Sequence, residues 1–480
     1  MKMFSSWVFG LLWFACQAGA AAGATPQQQF SSSLQALSRD LTIPGLAYAV
    51  IRDGEVISTG QLGDDPTSTP LTIDTPLRFA SITKTLTAVA LMRAVNRGAL
   101  SLDDSVGKWL PEFADRPEIK VRHLAAHVSE GTPGAEYVYA TQRYARLGPI
   151  LTKALKAQDF EAVLCAEVVS PAHMTWHDSP DLGAHAGFVS TVADMALFVQ
   201  ALQRNTLLNR KQFEQMTTPF KSSPGSSPVG VGFFAQQIGG ERVIWSFGQD
   251  DPDYSSALLL MLPKRKLAVV MLANTDEMSN PFRLLMGDVR YSPFATAFLD
   301  AYAPEVAKGI AERERLAQST LIALSRQDRD RATQQFRRFT LAGAPRSDDF
   351  VPHFMATMLA DPQSSVFTET LDRTVMAAHA ANRWVLLMSG GLNEGLGHTE
   401  VAGQRYQAIL GLRNQEPDGL ATLFRAWAYT GLASVYKATD PQLALKYLDQ
   451  GLATGVTGGT RDDLLKLRSS IPLESSHSMN

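Results

Sequence analysis

The chain has 480 residues, 45% apolar and 19% charged, with 44 Lys+Arg against 47 Asp+Glu for a net charge of −3. At roughly 150 residues per domain this allows two or three folded domains and excludes disordered, collagenous and multi-span membrane chains. So balanced a charge offers no field to hold a polyanion, so no nucleic-acid partner is expected, and two cysteines cannot build a disulfide framework.

The first two dozen residues, MKMFSSWVFGLLWFACQAGAAAGA, begin with Lys2, run apolar from Val8 to Cys16 and end in small residues. This is the layout of a secretory signal peptide over residues 1–24, with an apolar core too short to cross a bilayer. A periplasmic or secreted mature chain is expected. Lipid anchoring through Cys16 is the weaker alternative, because the run Trp13-Phe14-Ala15 before it is bulkier than a lipid-attachment site usually tolerates. Cys165 then remains as the single cysteine, inside an apolar run, and reads as a small hydrophobe. No later stretch reaches the ~18 apolar residues of a membrane span.

Residues 45–63 read as two strands around an Asp53-Gly54 turn. From Phe79 to Arg97 apolar residues fall at Phe79, Ile82, Leu86, Ala90 and Val95, a helical stripe that Gly98 stops. Residues 120–205 are mostly helical and loop-like. Over 230–274 the pattern changes to two further hairpins, turning at Gly239-Gly240 and at Pro263-Lys264-Arg265. Strands from opposite ends of this region bracket a helical middle, predicting an α+β domain over residues 25–300 with one antiparallel sheet. Beyond residue 300 only short amphipathic helices follow. The pair at 424–454 carries Gly431, Tyr436, Ala444, Tyr447 and Gly451, a tetratricopeptide-like (TPR-like) pattern, although the register is not a clean 34-residue repeat. Residues 301–480 are therefore expected to form an all-α, TPR-like domain.

Ser81-Ile82-Thr83-Lys84 opens the first long helix. Residues three apart on a helix share a face, so the Lys84 amine can reach the Ser81 hydroxyl, and a partly buried lysine is neutral often enough to take its proton. The spacing alone is weak, since Ser105-Val106-Gly107-Lys108 repeats it in what reads as a loop. Ser81 differs in sitting at a helix N-terminus, where the dipole favours developing negative charge.

The run LRFASITKTLTAVALMRAVNRGALSLDDSVGKWLPEF around Ser81 resembles the active-site helix segment of serine β-lactamases and penicillin-binding-protein-like esterases. VRHLAAHVSEGTP, AHAGFVSTVADMALFVQAL and SSALLLMLPKRKLAVVMLANTD resemble later landmarks of the same superfamily, in order, over roughly residues 35–275. The resemblance implies an antiparallel sheet flanked by helices and a nucleophilic Ser81 with Lys84 as its base partner. The family's Y-x-N motif is matched by Tyr139-Ala140-Thr141, which implies Tyr139 in proton transfer and Thr141 at substrate in place of the usual amide. Its K-T-G or H-x-G motif is matched by Ser246-Phe247-Gly248; an alternative register puts Phe247 at the position of the cation, and neither restores a positive charge. Gly248 keeps the close backbone approach, the amides of Ser81 and Gln249 become the oxyanion hole, and Ser246 stands where the family has a cation. This departure argues against efficient penicillin turnover and leaves esters or amides.

His173 and His177 have zinc-like spacing, but SPAHMTW also matches the superfamily's P-L-G-M-x-x-T, which explains it without metal. His127 reads as a structural histidine of its motif. The acidic run Gln249-Asp250-Asp251-Pro252-Asp253 is expected at the cleft rim, where it disfavours anionic substrates. The expectation is an exported serine hydrolase acting on a small-molecule or peptide-like substrate. Its catalytic set is Ser81, Lys84 and Tyr139, its substrate contacts are Thr141, Ser246, Gly248 and Gln249, and neither metal nor organic cofactor is required. The rival reading is a catalytically degenerate ligand-binding or scaffold protein whose helical domain recruits a protein partner.

Overall fold

The computed structural model describes residues 24–221, 228–250, 255–412 and 419–471. The expected leader thus lies outside the described residues, save Ala24. The strands are β1 (Gly45–Arg52), β2 (Glu55–Gly63), β3 (Leu77–Arg78), β4 (Val189–Ser190), β5 (Phe234–Ile238), β6 (Glu241–Gln249), β7 (Ser256–Leu262) and β8 (Leu267–Ala273). The helices of the first part are α1 (Pro26–Leu41), α2 (Thr83–Asn96), α3 (Val121–Ala125), α4 (Thr141–Ala145), α5 (Leu147–Leu155), α6 (Phe160–Leu164), α7 (Val192–Gln203) and α8 (Arg210–Thr217). There follow α9 (Pro293–Tyr302), α10 (Pro304–Ala307), α11 (Glu312–Ser325), α12 (Arg329–Leu341), α13 (Phe350–Leu359), α14 (Ser365–Ala378) and α15 (Arg383–Gly395). The last four are α16 (Thr399–Gly411), α17 (Gly419–Tyr436), α18 (Pro441–Leu452) and α19 (Gly459–Ser470).

Six strands form one sheet in the order β2-β1-β8-β7-β6-β5, every pair antiparallel. Asp53 and Gly54 both have positive φ (52° and 80°), the geometry that joins β1 to β2 with matching twist. The central strands are apolar throughout because both faces are covered. In β1, Leu46, Tyr48 and Val50 enter one core while Ala47, Ala49 and Ile51 enter the other; β7 and β8 alternate in the same way. The first core is closed by α1 and α9, where the Phe30 ring packs edge-on to Tyr48, Phe298 and Tyr302. α2, α5 and α7 close the second.

The stripe expected along residues 79–97 is not what organises α2. Every residue from Thr83 to Met92 is buried, so the helix is a central rod surrounded on all sides. A 3₁₀ turn, Ala80–Ile82, precedes it. Its far end is held by Glu167, 4% exposed, which accepts from Arg93 Nε (3.0 Å) and from Arg97 Nη1 (2.6 Å).

The first core does not end with the sheet. It continues through α11 to α17, so residues beyond 300 share it with the front half. The small residues of the late helices lie at contacts between them. Tyr406 of α16 is wedged between Gly390 of α15 and Gly431 of α17, where an added Cβ would lie 2.5 and 2.4 Å from its ring, and its hydroxyl donates to Glu394 Oε2 (2.9 Å). Gly431→Val should therefore destabilise the protein by ~1–3 kcal/mol through overpacking. Gly411→Val, with no atom within 4 Å of its Cβ site, should leave stability nearly unchanged. Denaturant midpoints of the two variants check this.

Candidate active site

Ser81 is held at the junction of sheet and rod. The short β3–β4 pair, with Leu77 opposite Ser190 and Arg78 opposite Val189, leads into the Ala80–Ile82 turn. Sequence patterning missed this two-residue ladder because so short a strand has no period. Ala80 has φ 47°, a left-handed conformation costly for a residue with a Cβ, immediately before the serine. Thr83 Oγ1 holds the turn by donating to Ala80 O (2.6 Å) and accepting from Phe188 N–H (3.2 Å).

Lys84 Nζ donates to Ser81 Oγ (2.9 Å) and to the His185 carbonyl (2.8 Å). The side chain is 4% exposed, and loss of hydration lowers its pKa to about 7. The rings of Tyr139 and Tyr144 stand 5.0 and 5.7 Å from Nζ. Tyr139 is hydrogen-bonded to Ser81, and burial raises its phenol well above the ordinary range, so it stays protonated. One face of Tyr139 stacks on His127 at 4.4 Å, and Phe247 lies 5.5 Å away. His127 accepts from Ala140 N–H through Nδ1 (3.1 Å). Burial and the neighbouring Lys84 hold its pKa well below the ordinary value, so it is a neutral supporting ring.

Two residues outside the expected set lie against the lysine's turn of α2. Tyr144 donates to the Lys84 carbonyl (2.8 Å), and Gly232, at φ 72°, passes so close that an added Cβ would lie 2.4 Å from Ala88 Cβ. Tyr144 lies five residues beyond Tyr139, outside the three residues singled out from the sequence. The His185 carbonyl has no sequence signal, because a backbone acceptor leaves no mark on residue type.

β6 reaches the serine along the edge that the shorter β5 leaves open, since their pairing ends at Phe234–Trp245. A Cβ on Gly248 would lie 2.4 Å from Phe79 O, so only glycine allows this approach. Gln249 pairs with Ser256, while Asp250 N–H binds Ser255 O (3.1 Å). Antiparallel alternation therefore turns the Gln249 N–H away from β7, toward that open edge. Ser246 is 4% exposed and accepts from Thr85 Oγ1 of α2 (2.8 Å), so its hydroxyl is engaged with the rod. Thr141 is the first residue of α4, two positions beyond Tyr139 and half-buried.

Among the described residues, the rim arginine is engaged by acidic neighbours. Arg78 pairs with Asp181 and lies 3.9 Å from Asp250. Asp251, Pro252 and Asp253 lie outside the described residues. The second Ser-x-x-Lys is elsewhere, with Lys108 exposed and paired to Asp104 (3.0 Å). His177 is hydrogen-bonded to Asp194 (3.0 Å), which also accepts from the Thr175 N–H (2.9 Å). Burial raises the Cys165 thiol pKa, which suits a packing residue.

The arrangement joins a serine, a lysine poised near neutrality, a protonated phenol and the outward amide of Gln249. Comparison with known proteins identifies the family to which this fold belongs. Residues 30–285 match the beta-lactamase family. Esterase EstB of Burkholderia gladioli is 39% identical over 99 residues, 19% of this chain and 25% of the relative. A beta-lactamase of Escherichia coli K12 is 26% identical over 227 residues, 36% of this chain and 60% of the relative. The chain thus spans less than two thirds of either relative. In fold it is similar to the octameric penicillin-binding protein homologue from Pyrococcus abyssi, with TM-score 0.51 and 20% identity over 61% of this chain and 81% of that one. With more than half of its length matched, the chain belongs to the beta-lactamase family.

Proposed function

We propose that the protein is an exported serine hydrolase that cleaves an ester or amide through a Ser81 acyl-enzyme. The observation that carries this reading is the 2.9 Å contact between Ser81 Oγ and a buried lysine whose pKa is about 7. With one amine hydrogen on the His185 carbonyl, the lone pair of neutral Lys84 is free to accept the Ser81 proton. Oγ attacks the substrate carbonyl, and the amides of Ser81 and Gln249 receive the oxyanion. The protonated Tyr139 supplies the leaving group with its proton and recovers one from the Lys84 ammonium. Water then hydrolyses the acyl-enzyme over the same groups.

The substrate in this reading is a small or peptide-like ester or amide that needs no carboxylate anchor. Ser246 carries no charge, and Arg78 is already shared between two aspartates. The kinship to an esterase favours esters. The late helices, read as TPR-like, add a surface for a protein partner. The rival, a binding protein without turnover, draws on the engagement of Ser246 by Thr85.

A fluorophosphonate probe should label the wild type and not Ser81→Ala; equal labelling of both removes the nucleophile. Below pH 7 Lys84 is an ammonium ion that cannot accept a proton. The rate of acylation should therefore fall about tenfold per pH unit beneath a pKa near 7. Lys84→Ala should lower that rate by ~10²–10⁴ and abolish the acid limb. Stopped-flow acylation across pH 5–9 measures both.

A further inference from the structure

Tyr139 stands on a segment without regular structure. Between the end of α3 and the start of α4, residues 126–140 form neither helix nor strand. A side chain on such a segment keeps its place only through tertiary ties. Some are internal: Val138 N–H donates to His127 O (2.9 Å), and Ala140 N–H to the His127 ring (3.1 Å). Arg143 Nε closes the base of the loop onto Glu130 Oε1 (3.0 Å).

Tyr137 Oη donates to the Leu285 carbonyl (2.7 Å), and further ties come from the far end of the chain. Arg383 Nη1 donates to the other oxygen of Glu130 (3.1 Å), 253 residues away in sequence. Glu130, Arg143 and Arg383 are each no more than 7% exposed, so the charge-assisted hydrogen bonds among them are stiff in direction. Next to it, Asn382 caps α15 by accepting from Trp384 N–H (3.0 Å), and its amide donates to the Tyr137 carbonyl (3.2 Å). One side chain thus couples the start of α15 to the backbone two residues before Tyr139. Tyr137, Tyr139, Leu285, Phe350, Trp384 and Met388 line a narrow apolar cleft between the two parts.

We propose that Asn382 and Arg383 are positioning residues for Tyr139, so that the helical region completes the active site. This rests on the reading of Tyr139 as proton donor to the leaving group. In that step the bond from acyl carbon to leaving oxygen breaks, and the electron pair stays on that oxygen. The phenol proton follows it, and Lys84 then returns a proton to the phenolate. A displaced Tyr139 slows departure of an alkoxide, which needs the proton, far more than departure of p-nitrophenolate, which does not.

The test uses the full chain with Asn382→Ala, Arg383→Lys and Arg383→Met, and Tyr139→Phe as reference, on the ethyl and p-nitrophenyl esters of one acid. Losses of at least about tenfold in kcat on the ethyl ester and under about threefold on the p-nitrophenyl ester, at unchanged KM, are expected. Arg383→Lys, which keeps the charge, should recover part of the loss, and circular dichroism melts check that each variant folds. Equal losses on both esters, or none on either, overturn the proposal. If Tyr139→Phe itself shows no dependence on the leaving group, the reading of Tyr139 falls and this inference with it. If Tyr139→Phe shows the dependence and the α15 variants do not, the positioning role alone is wrong.

Discussion

The site depends on the removal of water from one amine. Lys84 lies at the first turn of a helix buried on every side, and its walls are the rings of Tyr139 and Tyr144. Its hydrogen bonds go to neutral partners, Ser81 Oγ and the His185 carbonyl, so nothing restores the hydration its charged form loses. The cost of that burial is what brings the amine near neutrality. Everything that surrounds α2 therefore serves the chemistry. The sheet closes one side, α5 and α7 others, Glu167 grips its end, and Gly232 lets a loop pass where a Cβ would collide.

The same burial decides what stands opposite the serine. A lysine or histidine at the position of Ser246 would place a second cation close to Lys84 and α2. In this chain a hydroxyl fills that place and is bound by Thr85, so the amine faces no like charge from the strand. The rim follows the same economy, with Arg78 set between Asp181 and Asp250. Among the described residues, the strand beside Ser81 thus offers a hydroxyl and no cation, and the rim arginine is already engaged by aspartates.

The helical region is tied to this centre through a shared core. Apolar packing runs from the sheet through α9 and α11 to α17, and Arg290 joins the two parts electrostatically through Asp288 (2.6 Å) and Glu314 (3.7 Å). Helices attached so extensively move little relative to the sheet, which suits groups that hold the Tyr139 loop at a set distance from Ser81.

Much of this was legible in the residues alone. The hairpins, their turns and the apolar central strands follow from period-two patterning and turn chemistry, and the three-residue spacing of Ser81 and Lys84 puts them within reach on any helix. The residues singled out at 424–454 include Gly431, one of the two glycines on which Tyr406 packs, but not Gly390, and they do not identify Tyr406 as the ring between them. What the residues could not reveal was α2 as a buried rod, since its apparent stripe suggested an exposed face. Nor could they reveal the partners that decide protonation and position: His185 O lies 101 residues from Lys84, Ser246 161 from Thr85, and Arg383 253 from Glu130. Local pattern reports the neighbours of a residue along the chain, and so determined many of the elements and the candidate Ser81–Lys84 pair. Burial and hydrogen bonding are sums over neighbours in space, so the lysine's pKa, the open edge of β6 and the anchoring of Tyr139 were decided only by the tertiary structure.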